Sequence, residues 1–178
     1  MSGWVRTFGL VLASTGLLMV GSVARAGSSS NHPHLQRYSA SINAPIASYR
    51  TLLRRLDSIL SERPMVNVDP KVEKLFQVAD RFDAIAARWE ALPAPTGLKL
   101  RHRGMGRALE LQAQGWRMYA AGLFTRHDEE LHAALVKLGA MLRSAAYLQK
   151  RWAAALRGAL IRAELRVPNW LDQMASSP

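Results

Sequence analysis

The chain has 178 residues, 24 Lys and Arg against 13 Asp and Glu, and no cysteine. The absence of cysteine excludes disulfide scaffolds, thiolate zinc sites, lipoprotein anchoring, c-type haem attachment and cysteine nucleophiles. With 49% apolar and 21% charged residues, the chain falls among globular proteins and has the length of one domain.

Residues 1–26 read MSGWVRTFGLVLASTGLLMVGSVARA. A start with one basic side chain, Arg6, an apolar run from Phe8 to Val20 and the small-residue ending Ala24-Arg25-Ala26 follow the grammar of a secretory signal peptide. The run is ~13 residues, or ~20 Å as a helix, too short for a ~30 Å hydrocarbon core. Cleavage is expected after Ala26. No Arg-Arg pair precedes the run and position 27 is Gly, which points to the general secretory route and away from the twin-arginine and lipoprotein routes. The competing reading is an uncleaved signal that tethers the protein to the membrane. Either way the body is expected outside the cytoplasm, periplasmic or secreted.

Residues 27–42, with Ser28-Ser29-Ser30 and His32-Pro33-His34, are expected to be a flexible polar leader. The domain proper is expected over 43–167. A first helix opens with Asn43 as N-cap and Pro45 in its first turn, and places Ile46, Tyr49, Leu53, Leu56 and Leu60 on one face until Pro64. A second starts at Asp69-Pro70 and carries Val72, Leu75, Phe76, Ala79, Phe82, Ala86, Trp89 and Leu92, stopped by Pro93 and Pro95. The third runs from Leu98 to Phe124 with Met105, Leu109, Gln112, Trp116, Tyr119 and Leu123 in register. Its glycines Gly104, Gly106, Gly115 and Gly122 either allow close helix approach or weaken the helix by up to ~1 kcal/mol each. The fourth begins near Asp128-Glu129-Glu130, acids that suit a helix N-terminus. It carries Leu131, Leu135, Leu138, Leu142, Ala145, Leu148, Trp152, Leu156, Leu160 and Ala163, and at ~1.5 Å per residue is roughly 55 Å long. Its far end needs a cover, supplied by the leader, by the tail (residues 168–178) or by a second copy of the chain. The expected fold is all-α: an up-and-down antiparallel bundle of four helices, the last one long, with three helices plus a leading arm as the alternative.

Trp89-x-x-Leu92-Pro93-x-Pro95, a helix with His102 early, and the Arg126-His127-Asp128-Glu129 turn into a long Ala/Leu helix resemble uncharacterised exported helical proteins of bacteria. The resemblance spans residues 70–165. It implies a bundle with no assigned activity, and no functional residue is carried over from it.

Little in the sequence points to chemistry. Glu129-x-x-His132 is a single Glu-x-x-His spacing, whereas a ferritin-like di-metal site needs two such pairs and two more inward glutamates. His102, Met105, Met118, Met141 and His132 are conceivable haem ligands, but methionine in an apolar stripe is ordinary core filling. There is no Gly-x-Ser-x-Gly, phosphate loop or His-Glu-x-x-His, and Asp80 and Asp83 read as a solvated face. No catalytic, metal or cofactor residue is assigned, no cofactor is expected, and the chain is expected not to be an enzyme.

The unusual feature is where the positive charge sits. Residues 43–92 hold eight Lys/Arg and seven acids, residues 98–126 six against one, and residues 137–166 seven against one. Lys99, Arg103 and Arg107 lie at i, i+4, i+8, and Arg143, Lys150 and Arg157 at successive heptads, each set forming a row along its helix. Like charges so spaced cost helix stability, and such rows suit polyanions. These six residues are the candidate polyanion-binding set. The expected partners are an anionic envelope polymer, lipid head groups or an acidic protein; nucleic acid is disfavoured, since no reading motif is present. Arginine outnumbers lysine 19 to 5, so GC-rich coding is the competing account of the basic faces. The leading functional reading is an exported binding or structural bundle. The alternatives are a small extracytoplasmic haem- or metal-binding four-helix bundle and a self-associating, chaperone-like module.

Overall fold

The computed structural model describes residues 33–62 and 69–176; the expected signal peptide lies outside the described residues. The described residues form six α-helices, α1 (Pro33–Ser41), α2 (Asn43–Ser61), α3 (Asp69–Glu90), α4 (Lys99–Thr125), α5 (Asp128–Arg162) and α6 (Asn169–Ser176), with a 3-10 turn over Thr96–Leu98 and no strand. The all-α expectation holds. Helices α2 to α5 coincide with the four apolar stripes, and two further helices flank them.

The first addition corrects the leader. Residues 33–41 are helical, and Leu35, Tyr38 and Ile42 are buried in the core. Spaced three and four apart, these residues continue backward the stripe of Ile46 and Tyr49, and the gain from burying them outweighs the polar composition around them. Asn43 is accordingly not an N-cap. Ile42 has helical φ and ψ, its N–H bonds to Tyr38 O at 3.1 Å and its carbonyl accepts from Ile46 N at 3.0 Å. α1 and α2 thus meet almost without interruption, and the break falls where Pro45 can donate nothing to the carbonyl four residues earlier. The second addition is α6. The tail buries Leu171 completely and stacks Trp170 on Trp152, ring centroids 6.2 Å apart, so the tail covers the C-terminal half of α5.

Neighbouring long helices run in opposite directions. Lys74 of α3 meets Glu62 after α2 at 2.7 Å, while Tyr49 near the start of α2 packs on Phe82 late in α3. Arg126 after α4 reaches Asp69 at the start of α3, and Arg117 in mid-α4 bridges Asp80 and Asp83 at 2.7 and 2.5 Å. The two acids that read as a solvated face therefore clamp α3 to α4. The N-terminal half of α5 packs on α4, leaving Phe124, Leu135 and Val136 exposed.

The glycines of α4 divide by position. A Cβ on Gly122 would stand 2.8 Å from Ala134 Cβ and 3.3 Å from backbone atoms of Glu130 and Leu131, and one on Gly115 would stand 2.9 Å from Leu138. These two permit the close approach of α4 and α5. Gly104 and Gly106 meet nothing closer than 3.6 Å, so no crowding requires them. Gly122→Ala is expected to lower unfolding stability by about 1–3 kcal/mol, the cost of overpacking against a backbone that cannot yield. Gly104→Ala is expected to raise it by up to ~1 kcal/mol. Urea titrations followed by circular dichroism measure both, and equal effects of one sign would overturn the distinction.

Candidate functional site

Five helices meet in one aromatic cluster. Tyr38 comes from α1, Trp89 from α3, His102 from α4, Trp152 from α5 and Trp170 from α6. Tyr38, Trp89 and Trp152 are almost wholly buried and His102 is 6% exposed. The His102 ring stacks on Trp89 with centroids 5.0 Å apart and planes at 18°, and Trp152 meets Trp89 edge to face at 4.9 Å. Trp89 Nε1–H donates to the His102 carbonyl oxygen at 3.0 Å, tying the end of α3 to the first turn of α4.

The hydrogen bonds favour one tautomer of the histidine. Trp152 Nε1–H, a donor only, gives its proton to the Tyr38 hydroxyl at 3.2 Å. Tyr38 stands 2.8 Å from His102 Nδ1 and has no other acceptor for its own proton among the described residues, so the favoured arrangement has the hydroxyl donating to Nδ1. Burial lowers the pKa of His102 from 6.5, with the Trp89 bond opposing, so the ring is neutral at pH 7. Its proton then sits on Nε2, a buried atom without a hydrogen-bond partner. Burial also pushes the Tyr38 hydroxyl up to about 12, so it stays protonated.

Above this floor lies a depression of about 800 Å³ between the end of α3, the segment that follows it and the start of α4. It is lined by Glu90, Leu92, Pro93, Ala94, Lys99, His102, Arg103, Arg107 and Glu110. The fold brings the whole first basic row, Lys99, Arg103 and Arg107, to this one rim. Arg107 is engaged with Glu110 at 2.7 Å. Lys99 and Arg103 are exposed and make no ion pair among the described residues. The second row borders other elements: Arg143 and Lys150 are exposed on α5, while Arg157 is held by Asp172 of α6 at 2.6 Å. No residue of that row lines the depression. Arg151 lies over the exposed ring of Tyr147 beside the second row.

The other nominated ligands do not converge. His127, Glu129 and His132 are exposed, Met105 is core and Met118 and Met141 are half-buried. The described residues contain no group of three or more His, Asp or Glu placed to hold a metal ion. Among them there is also no helix long and apolar enough to cross a membrane. A second buried polar junction lies deeper: the Tyr49 hydroxyl accepts from Gln112 Nε2 at 3.2 Å and Gln149 Nε2 at 2.9 Å, linking α2, α4 and α5. Of these polar contacts only His102 was singled out from sequence, and as a haem ligand. The helical spacing of Leu35, Tyr38 and Ile42 was the signal that would have brought Tyr38 into the core.

In comparisons with known proteins, no family model matches the chain, and no curated protein and no solved structure is significantly similar to it.

Tyr38→Phe leaves Trp152 Nε1–H and His102 Nδ1 buried and unpaired and is expected to cost about 2–4 kcal/mol of unfolding stability; a loss below ~0.5 kcal/mol in urea titration would show that the junction carries no weight. Acid adds a second check. As pH falls below 6.5, the unfolded chain takes up a proton at position 102 that the folded chain resists, so stability declines from 6.5 down to the lowered folded-state pKa. His102→Gln is expected to flatten this part of the stability–pH curve, and an unchanged slope would contradict the assignment.

Proposed function

We propose that the chain is an exported helical-bundle protein of binding or structural type that associates with an anionic envelope polymer, lipid head groups or an acidic protein through the basic faces of α4 and α5. In this proposal residues 1–26 direct export and are removed, helices α2 to α5 form the up-and-down core, and the protein has no catalytic role. The observation that carries the reading is the exposure of Lys99, Arg103, Arg143 and Lys150 without an acid to neutralise them among the described residues. Asp80 and Asp83 are instead engaged between helices, with Arg117. Each cation close to an anionic surface contributes about 1 kcal/mol, and a row gains from being matched as a unit.

The test is sedimentation of the mature protein with phosphatidylglycerol vesicles against phosphatidylcholine vesicles, at low and high salt. Retention on the anionic vesicles alone, lost at high salt, is expected. Combined Arg143→Gln, Lys150→Gln and Arg157→Gln should weaken it by about tenfold or more. Arg157→Gln alone should matter less than Lys150→Gln, because Asp172 already neutralises Arg157. Binding unchanged in the triple variant would overturn the proposal. The N-terminal residue of protein recovered from the native envelope tests export, with Gly27 expected. Of the nominated haem ligands His102 is the one with a buried ring nitrogen that has no hydrogen-bond partner among the described residues, and the visible spectrum of that same protein decides the haem alternative.

A further inference from the structure

We infer that the outward face of the N-terminal half of α5 is the contact through which two copies of this chain pair antiparallel, about a two-fold axis at Val136. The inference stands apart from the reading of the basic faces and shares only Arg143 with it.

The face follows from how α5 packs. Ala134, Leu138 and Ala145 are buried, and Ala134 and Leu138 lie against Gly122 and Gly115 of α4, so they mark the inner side of the helix. On the other side Glu129, Ala133, Val136, Ala140, Arg143 and Tyr147 follow at steps of four, three, four, three and four, and every one is exposed. Such steps hold residues to one side of a helix. α6 covers α5 further along, with Trp170 on Trp152 and Asp172 on Arg157. Among the described residues seven large apolar side chains are exposed, and four of them, Phe124, Leu135, Val136 and Tyr147, belong to this half of α5 or to the end of α4 beside it. Such clustering marks a contact surface.

The charges identify the occupant. Val136, 59% exposed, has Glu129 seven residues before it and Arg143 seven after, and neither makes an ion pair among the described residues. Each stands ~10 Å along the helix from Val136. A second α5 laid antiparallel, Val136 upon Val136, brings each Glu129 level with the other copy's Arg143, so one sequence supplies both halves of both pairs. A two-fold contact between identical surfaces requires that self-complementarity. Ala133 and Ala140 add only methyl groups, so the two helices can approach closely on either side of the axis. A polyanion matches this stretch poorly, because Glu129 and its neighbours Asp128 and Glu130 are exposed and repel it. The overlap ends where α5 begins, ~12 Å from the axis, whereas Lys150 and Arg157 lie ~21 and ~31 Å from it. Both stay outside the contact. One helix face from each copy makes a small interface, below about 1,200 Å² in total, so the dimer is reversible. Apolar burial holds it, and the charge pairs set its direction.

The experiment is sedimentation velocity of the chain recovered from the envelope of expressing cells, from low to high micromolar concentration. A reversible monomer–dimer equilibrium is expected. Glu129→Arg and Arg143→Glu, both at exposed positions, should leave the circular dichroism spectrum unchanged and each weaken dimerisation about tenfold or more, since each sets like charges opposite one another twice. An equimolar mixture of the two variants should dimerise again, and so should the double variant alone. The chain has no cysteine, so Val136→Cys reports the axis: mild oxidation should join two copies there, and should not join them in Ala154→Cys, ~27 Å further along the same side. A monomer at every concentration overturns the inference, and does so equally if Val136→Asp releases the chain from phosphatidylglycerol vesicles, since the face then belongs to a lipid surface. A dimer indifferent to both charge reversals, a mixture that stays monomeric, or equal cross-linking at positions 136 and 154 also overturns it. Lys150→Gln separates the two proposals: it is expected to weaken vesicle retention and leave dimerisation unchanged.

Discussion

The Tyr38 hydroxyl is the group on which the arrangement of helices most depends. It accepts from Trp152 of α5 and donates to His102 of α4, and so fixes α1 against two helices far away in the chain. A buried hydroxyl with both functions satisfied is a strong specifier, because any shift in the register of α1, α4 or α5 would strand two polar atoms in a low-dielectric interior. The chain has no cysteine, so alignment comes from such contacts and from packing. Tyr49 supplies a second junction further along the bundle, where two glutamine side chains from α4 and α5 converge on one hydroxyl as donors.

That second junction explains how α2 belongs to the bundle. The tight backbone approaches are those of α4 with α5 and of α3 with α4, helped by glycines on the α4–α5 side and by the Arg117 clamp on the α3 side. α2 reaches α5 through Tyr49 and Gln149, long side chains that span a wider separation. A polar bridge there costs less because both glutamine amides have partners, whereas an unpaired glutamine amide in the same place would cost its full desolvation.

The distribution of charge follows from the same architecture. Lys74 is paired with Glu62 and Arg117 with Asp80 and Asp83, while Lys99 and Arg103 on α4 and Arg143 and Lys150 on α5 are exposed without an ion pair among the described residues. Exposed ion pairs contribute little to stability, so these clamps serve to align helices more than to hold them together. Lys99 and Arg103 line the same depression as the neutral His102.

By itself the sequence determined the period. Apolar residues three and four apart set α2 to α5 within two or three residues of their ends, and Pro70, Pro93 and the Asp128-Glu129-Glu130 run marked boundaries, because helix geometry and end effects are local. It determined as well which side chains form the two basic rows. α1 escaped notice because its stripe is only Leu35, Tyr38 and Ile42 within polar surroundings, and α6 because eight residues carry too few turns to show a period. α1 is stabilised by burial against helices distant in sequence, and α6 by folding back on α5, the helix before it. Only the tertiary structure decided which glycines are required, since Gly104 and Gly122 are the same residue until a partner helix crowds one of them. It also decided that the first row of cations shares a depression with His102 while the second lies apart. Those outcomes depend on distances between helices, and such distances are set by how side chains of many separate segments pack at once.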